Sequence, residues 1–206
     1  MIWPFGDLTP MKYGAILADP PWRYVMRSEK GHAKSPEAHY ATADEDWISS
    51  LPVSHLASGD CLLILWSTWP HVPQALRVMN AWGFRYVTGG SWNKRTASGK
   101  TAFGTGYILR SASEPFLVGK IGSPQIASRS CRNLIDADEI LDDEIPDTIE
   151  AIRREHSRKP LEMREMVEAL LPRAFACELF AREPWAGHDV WGNETDRFAA
   201  QEVSAA

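Results

Sequence analysis

Ala15-Ile-Leu-Ala-Asp-Pro-Pro-Trp22 decides how this chain is read: a short apolar run ends in a carboxylate, two prolines and an indole. An apolar run of this length, bounded by turn-forming residues, reads as a buried strand. A carboxylate at the carboxyl end of such a strand stands where open α/β sheets place their chemistry. The Asp19 carboxylate and the Pro20 carbonyl each offer an acceptor to one N–H of an exocyclic amino group, and proline brings a locked backbone with no competing donor. Pro21 extends the rigid turn, and Trp22 offers a face on which a planar base stacks, a contact worth ~1–3 kcal/mol. Asp19, Pro20, Pro21 and Trp22 are therefore the candidate catalytic residues. The plainer reading, a turn after a strand with Trp22 in the core, is weakened by the Ile-Leu-Ala in front and the Trp directly behind.

The 206 residues, 44% of them hydrophobic, suffice for one substantial core and require no second. A single domain over 1–206 is expected, with an acidic insertion around 134–147. The net charge of −5 is unusual for a protein that handles nucleic acid, but Asp136 to Glu150 holds eight carboxylates and no base, and the rest of the chain carries +3. Arg27 and Lys30 follow the Asp-Pro-Pro-Trp turn, and Arg95 and Lys100 lie in a Gly/Ser/Thr-rich stretch. These four, together with Arg23, Lys34, Lys94 and the later Arg153, Arg154, Arg158 and Lys159, are candidate phosphate contacts, with solvated surface charge as the alternative for each. Cys61 and Cys177 sit in apolar runs and the cysteine count is odd, which suits reduced thiols in a cytoplasmic protein. The longest apolar stretch, Cys61 to Trp66, is too short to span a bilayer, and no signal peptide opens the chain. No membrane partner and no metal site are expected.

Strands are expected at Tyr13 to Ala18, Cys61 to Trp66, Phe84 to Trp92 (interrupted by Gly89-Gly90), Arg173 to Arg182 and Asp189 to Trp191, with paired extended segments over Tyr107 to Lys120. Thr42-Ala-Asp-Glu45 has capping-box spacing and should start a short helix through Ile48 with Trp47 facing inward. A helix over His71 to Trp82 places Val72, Leu76 and Met79 on one face, and another over Pro160 to Leu171 places Met163, Val167 and Leu170 on one face. Tyr24 to Tyr40 and Ala97 to Gly106 read as polar loops. The alternation of strands and helices makes an α/β fold with a parallel or mixed sheet.

No Gly-x-Gly-x-x-Gly follows any of these strands, so a generic cofactor fingerprint is absent. The chain instead resembles the METTL-like family, that of the seventy-kilodalton MT-A subunit, whose members methylate the 6-amino group of adenine. The matching strings run in order along nearly the whole chain: Ala18-Asp-Pro-Pro-Trp22, Tyr40, Leu62-Leu-Ile-Leu-Trp66, Trp92-Asn-Lys94, Tyr107 with Arg110 and Glu114 ahead of Phe116-Leu-Val-Gly119, His156-Ser-Arg-Lys-Pro160, Glu178-Leu-Phe-Ala-Arg182, and Trp191-Gly-Asn-Glu194. Each string is weak alone; their shared order is specific.

The resemblance implies a Rossmann-like methyltransferase fold, circularly permuted so that the catalytic motif precedes the cofactor motif, with S-adenosylmethionine as cofactor. Carried over by position, Asp19 and Pro20 hold the target amino group, Lys94 lies near cofactor or adenine, and Tyr40 lies near the target base. Asp19, Glu178, Arg182, Asn193 and Glu194 border the cofactor. Arg182 has a second reading, a structural salt bridge to Glu178, and His156 to Pro160 has one as a helix start with solvated bases. Trp66 and Trp92 read as core. The compact form resembles bacterial and phage members, which favours DNA over RNA as partner; a homodimer is compatible with it. A catalytically silent scaffold is the competing class, set against the retained tetrapeptide, and RNA or a free nucleotide is the competing substrate.

Overall fold

The computed structural model describes residues 3–23, 43–95, 100–101, 108–138, 159–193 and 195. Seven strands form one sheet: β1 (Tyr13–Ala18), β2 (Ala57–Trp66), β3 (Arg85–Arg95), β4 (Ser113–Ile121), β5 (Leu134–Asp138), β6 (Ala176–Leu179) and β7 (Asp189–Trp191). Their order across the sheet is β5-β3-β4-β2-β1-β6-β7. β4 runs antiparallel to both its neighbours, whereas β1 is parallel to β2 and to β6, β3 to β5, and β6 to β7. This mixed seven-stranded α/β sheet is consistent with a Rossmann-like methyltransferase fold.

β1 is apolar at every turn of its pleat because both faces of the sheet are covered. Ile16 and Ala18 point into a cluster with Leu63, Leu65, Val78, Met79 and Trp82. That side carries helices α1 (Glu45–Ser50) and α2 (Val72–Ala81). Ala15 and Leu17 point the other way, to Ile64, Trp66, Phe116, Met163 and Val167, the last two from helix α3 (Glu162–Leu170). Chain connections leave β1 towards β2 on one side and arrive at β6 on the other. The carboxyl ends of β1 and β6 therefore sit at a switch in strand order, where a crevice opens.

Several local expectations need correction. Asp44 caps α1, its carboxylate accepting the Trp47 N–H at 2.7 Å, so the cap lies two residues later than the Thr42 spacing suggested. Ile48 fills the buried position of α1, in the cluster that holds Trp82, and Trp47 is exposed. In α2, Ala75, Val78 and Met79 are buried and Leu76 is exposed. Gly89 and Gly90 do not interrupt β3. They let it pass close to its neighbours, since a Cβ at Gly90 would collide with the Asn133 carbonyl and the Phe116 ring. The last large strand is only β6, because Ala174 is still in a turn bonded to Leu171 and Phe180 leaves the strand at φ +63°. Extended pairing before Lys120 begins at Ser113, and residues 108–112 lie outside any strand. The start of the acidic stretch is ordered as edge strand β5, paired with β3; residues 139–150 lie outside the described residues. Among the described residues, no helix is long and apolar enough to cross a membrane.

Candidate active site

The Asp-Pro-Pro-Trp turn is fixed by its own backbone and by two strands. The Asp19 N–H donates to Leu179 O at 3.3 Å, tying the end of β1 to the end of β6. Pro20 O accepts the Trp22 N–H at 2.8 Å and Pro21 O accepts the Ala43 N–H at 3.0 Å. A carbonyl has two lone pairs, so Pro20 O retains one for a ligand. The chain thus leaves at Arg23 and returns at Ala43 beside the same turn.

Trp22 is the main surprise within the motif. Only 6% of it is exposed, its Nε1–H donates to Trp66 O at 3.1 Å, and the His71 ring stacks on it at 6.2 Å and 19°. It is a core residue of the turn, and the base-stacking role expected of it does not fit this burial. His71 locks the same segment. Its Nε2 lies 3.0 Å from the Arg23 carbonyl, which only accepts, so Nε2 carries the proton and Nδ1 accepts from Thr68 Oγ1 at 2.7 Å. Burial holds the His71 pKa below its ordinary value, against the opposing pull of the Arg23 carbonyl, and favours this neutral form.

Asp19 heads a row of alternating charges. Lys159 Nζ lies 3.1 Å from Asp19 Oδ2 and 2.5 Å from Glu114 Oε1, and Lys94 Nζ lies 3.3 Å from Glu114 Oε2. The two ammonium groups also stand over indoles, Lys159 5.4 Å from Trp66 and Lys94 4.8 Å from Trp92. Asp19 and Glu114 respond differently. Burial, reinforced by the Glu114 charge, lifts the Asp19 carboxyl above the usual carboxylate range despite Lys159. Burial acts the same way on Glu114, but the two lysines outweigh it and hold its pKa low. Burial opposes the charge on Lys159 too, and the carboxylates on either side overcome it, raising its pKa.

Below this row lies a cleft whose lining includes Leu17, Asp19, Lys159, Met163, Phe180 and Arg182. Glu178 and Arg164 are on its wall, and Arg164 is the partner of Glu178, at 2.7–2.8 Å. The guanidinium also donates to the carbonyls of Pro184 and Glu183, at 2.9 and 3.2 Å. Burial nevertheless leaves the Glu178 pKa raised, more than Arg164 offsets. Glu178 is therefore held by Arg164, while the positive charge of Arg182 reaches Asp19. Phe180, at φ +63°, holds a conformation rare for residues other than glycine, and it bends the chain into the cleft immediately after β6.

The cleft thus gathers Asp19, Glu178 and Arg182 of the residues expected from sequence, with Lys94 joined through Glu114. Asn193 is exposed beyond β7 and is not among the lining residues. Arg95 makes a two-pronged ion pair with Asp136, assisted by Asn93 at 3.0 Å, so it is engaged with the start of the acidic stretch. Lys100 is exposed. Arg27, Lys30, Lys34, Tyr40, Arg153, Arg154, Arg158 and Glu194 lie outside the described residues. Lys159, expected from sequence as a phosphate contact or solvated base, instead pairs with Asp19 and with Glu114, which the sequence offered only within a matching string. The available signals were their places in the matching strings, a lysine just ahead of the helix-starting Pro160 and a carboxylate opening a buried strand. Among the described residues, no group of three or more His, Cys, Asp or Glu side chains is arranged to hold a metal ion.

Comparison with known proteins shows what the chain as a whole is similar to. The chain is 29% identical over 208 residues to the Type II methyltransferase M.MunI of Mycoplasma sp, covering 92% of this chain and 81% of that protein. It is 34% identical over 172 residues to the N(6)-adenosine-methyltransferase MT-A70-like protein of Arabidopsis thaliana, covering 82% of this chain but 22% of that one. It is also 30% identical over 190 residues to the human N(6)-adenosine-methyltransferase catalytic subunit METTL3, covering 90% of this chain and 28% of that one. The MT-A70 family model matches residues 13–194, and the chain belongs to the MT-A70 family.

Proposed function

We propose that this protein is an S-adenosylmethionine-dependent methyltransferase that modifies the 6-amino group of adenine in DNA. The observation that carries the reading is the placement of Asp19 and the second lone pair of Pro20 O at the switch point between β1 and β6, above a cleft of mixed charge. DNA is favoured over RNA because the chain spans 81% of a Type II methyltransferase but from about a fifth to about a half of the RNA or adenosine methyltransferases it resembles. The domain is read as circularly permuted, since Asp19 precedes Glu178 in the chain although their strands are neighbours in the sheet.

The cleft chemistry fits the cofactor. Asp19, Glu178 and Arg182 offer acceptors and a donor for an amino-acid tail and ribose hydroxyls, while Leu17, Met163 and Phe180 offer apolar contact. S-adenosylmethionine supplies, when bound, a methyl group on a positively charged sulfur. The protein's own work is alignment. Asp19 and Pro20 accept the two N–H bonds of the target amino group and favour tetrahedral nitrogen, bonds that strengthen as the nitrogen loses conjugation with the ring. Lys159 fixes Asp19 and supports its ionised form. After transfer the nitrogen sheds a proton readily, and Asp19, whose carboxyl lies above the usual range, is placed to take it.

The test is to incubate the protein with labelled S-adenosylmethionine and, separately, duplex DNA, single-stranded DNA and RNA, and then to identify the modified nucleoside. N6-methyldeoxyadenosine from DNA is expected. Label on another base, or RNA modified in preference to DNA, would overturn the assignment.

A further inference from the structure

We propose that Trp69 is a stacking platform for an unpaired nucleobase of the polynucleotide substrate, at the rim of the active site; this rests on the reading of the chain as a nucleic-acid methyltransferase. Trp69 is 52% exposed and Trp47 46%, whereas Trp22, Trp66, Trp82, Trp92 and Trp185 are each 6% exposed or less. An exposed indole is usually a loosely held one. That of Trp69 is not, because its Nε1–H is shared between Ser113 O and Ser113 Oγ, both at 3.1 Å.

The backbone beneath it is equally constrained. Trp69 opens a 3-10 turn with Pro70 next in line, and the His71 N–H closes that turn onto Thr68 O at 2.8 Å. The indole's polar edge is therefore satisfied by protein while much of the side chain faces solvent. A side chain fixed this way loses little conformational freedom when a base stacks on it.

Its position gives the platform a purpose. Trp69 comes three residues after the end of β2, at the same carboxyl-end rim of the sheet as Asp19. Its anchor Ser113 immediately precedes Glu114, the carboxylate that holds Lys159 against Asp19. A base resting on Trp69 would thus be registered against the strand that positions the catalytic row. Extruding an adenine from a duplex, or binding it in a single strand, exposes base faces that need a new stacking partner. Trp22, sealed against His71, is poorly placed to supply one. Trp69 is also sequence-tolerant as a contact, since every base has a π-face.

The experiment compares wild type, Trp69→Phe and Trp69→Ala. It measures binding of a fluorescently labelled adenine-containing single-stranded DNA by anisotropy, S-adenosylmethionine affinity by calorimetry, thermal unfolding, and steady-state methylation. Trp69→Ala is expected to raise Kd and KM for the DNA about tenfold, a change of about 1.4 kcal/mol, with kcat and cofactor affinity unchanged. Trp69→Phe, which keeps an aromatic face but loses the anchor, should stay within about threefold of wild type in Kd. Unchanged DNA affinity in Trp69→Ala overturns the platform, as does a loss that Phe does not rescue and that is matched by lower thermal stability. A wild type that binds DNA but methylates nothing refutes the enzyme reading, while the alanine variant's Kd still decides the platform. A wild type that does not bind DNA overturns both.

Discussion

A lysine–carboxylate pair stands at each end of β1. Just before the strand, Lys12 Nζ lies 2.7 Å from Asp189 Oδ2, and that oxygen also accepts the Tyr13 hydroxyl at 2.6 Å. Just after it, Lys159 Nζ lies 3.1 Å from Asp19 Oδ2. The distances are similar and the electrostatic outcomes are opposite. The hydrogen bonds from Lys12 and Tyr13 hold the Asp189 carboxyl below its ordinary range, while burial lifts Asp19 above it. Side-chain exposure separates them, 40% for Asp189 against 22% for Asp19, together with the neighbours: Asp189 has a second donor, whereas Asp19 shares its lysine with Glu114. The lower pair is satisfied and ties the starts of β1 and β7. The upper pair has unmet hydrogen-bonding capacity, which an amino group with two N–H donors would fill.

Removing the unmet carboxylate should have the largest consequence. Asp19→Asn is expected to lower kcat by about 10³-fold or more, because the neutral amide is a poorer acceptor where the nitrogen gains charge. Its effect on folding should run the other way. The folded pKa of Asp19 is raised, so its contribution to stability is fully present below the unfolded value and is lost as pH rises through the folded one. At neutral pH the ionised Asp19 weighs against the cofactor-free fold, and thermal denaturation of Asp19→Asn should show an unchanged or higher Tm. A clear drop in Tm would mean the upper pair is structural like the lower.

Removing the shared cation comes next. Lys159→Met leaves two neighbouring carboxylates without their common partner, and both should take up protons at higher pH than in wild type. The expected result is a fall of about 100-fold in kcat/KM at neutral pH, with an acid limb of the pH–rate profile moved upward. The variant also loses a largely buried ion-pair partner, a change that costs about 3 kcal/mol or more. Lys159→Arg, which keeps the charge, should retain most of the stability while disturbing alignment. An acid limb left in place by Lys159→Met would show that Asp19 does not govern it.

Glu114→Gln sharpens the contrast from the other side. It removes a negative charge that raises the Asp19 pKa and leaves Lys159 to serve Asp19 alone. The acid limb of kcat/KM should therefore move to lower pH, opposite to its movement in Lys159→Met. Shifts in the same direction for the two variants would refute the row as a coupled unit.

How much of this was legible in the sequence follows from how local each feature is. Strand β1 and Asp19 stand out because eight consecutive residues change from apolar run to carboxylate to paired prolines. The core faces of α3 could be read from spacing, since Met163 and Val167 recur at helical period and both are buried. The partners of Asp19 could not. Lys159 and Glu114 meet it from distant parts of the chain, and only the pairing of β2 with β4 and the docking of α3 bring them together. The two indoles make the same point. Nothing in the residue type distinguishes Trp22 from Trp69; what decides is that Trp66 O and His71 receive the first, while Ser113 holds the second by its edge and leaves it half in water. Arg164 takes the place that the second reading of Arg182 offered, the salt bridge to Glu178. Glu178 and Arg182 are four residues apart and invite pairing, but Phe180 at φ +63° breaks the strand between them, and Arg164 reaches Glu178 from α3.

The smallest effect should come from the lower pair. Asp189→Asn keeps an acceptor for the Tyr13 hydroxyl but removes the charge opposite Lys12. Because Asp189 is substantially exposed, solvent screens the interaction and the loss should be no more than about 1 kcal/mol. Its pH dependence has a definite sign. The folded pKa of Asp189 is lowered, so its contribution is present above the unfolded carboxylate value and disappears as pH falls through the folded one. The stability difference between wild type and Asp189→Asn, measured by urea denaturation, should accordingly be constant near neutrality and vanish in acid. Methyl transfer should be unaffected, since this pair lies at the opposite end of β1 from Asp19. A loss of kcat comparable to that of Glu114→Gln, with folding intact, would show that the two ends of the strand are coupled and that the division of labour between them is wrong.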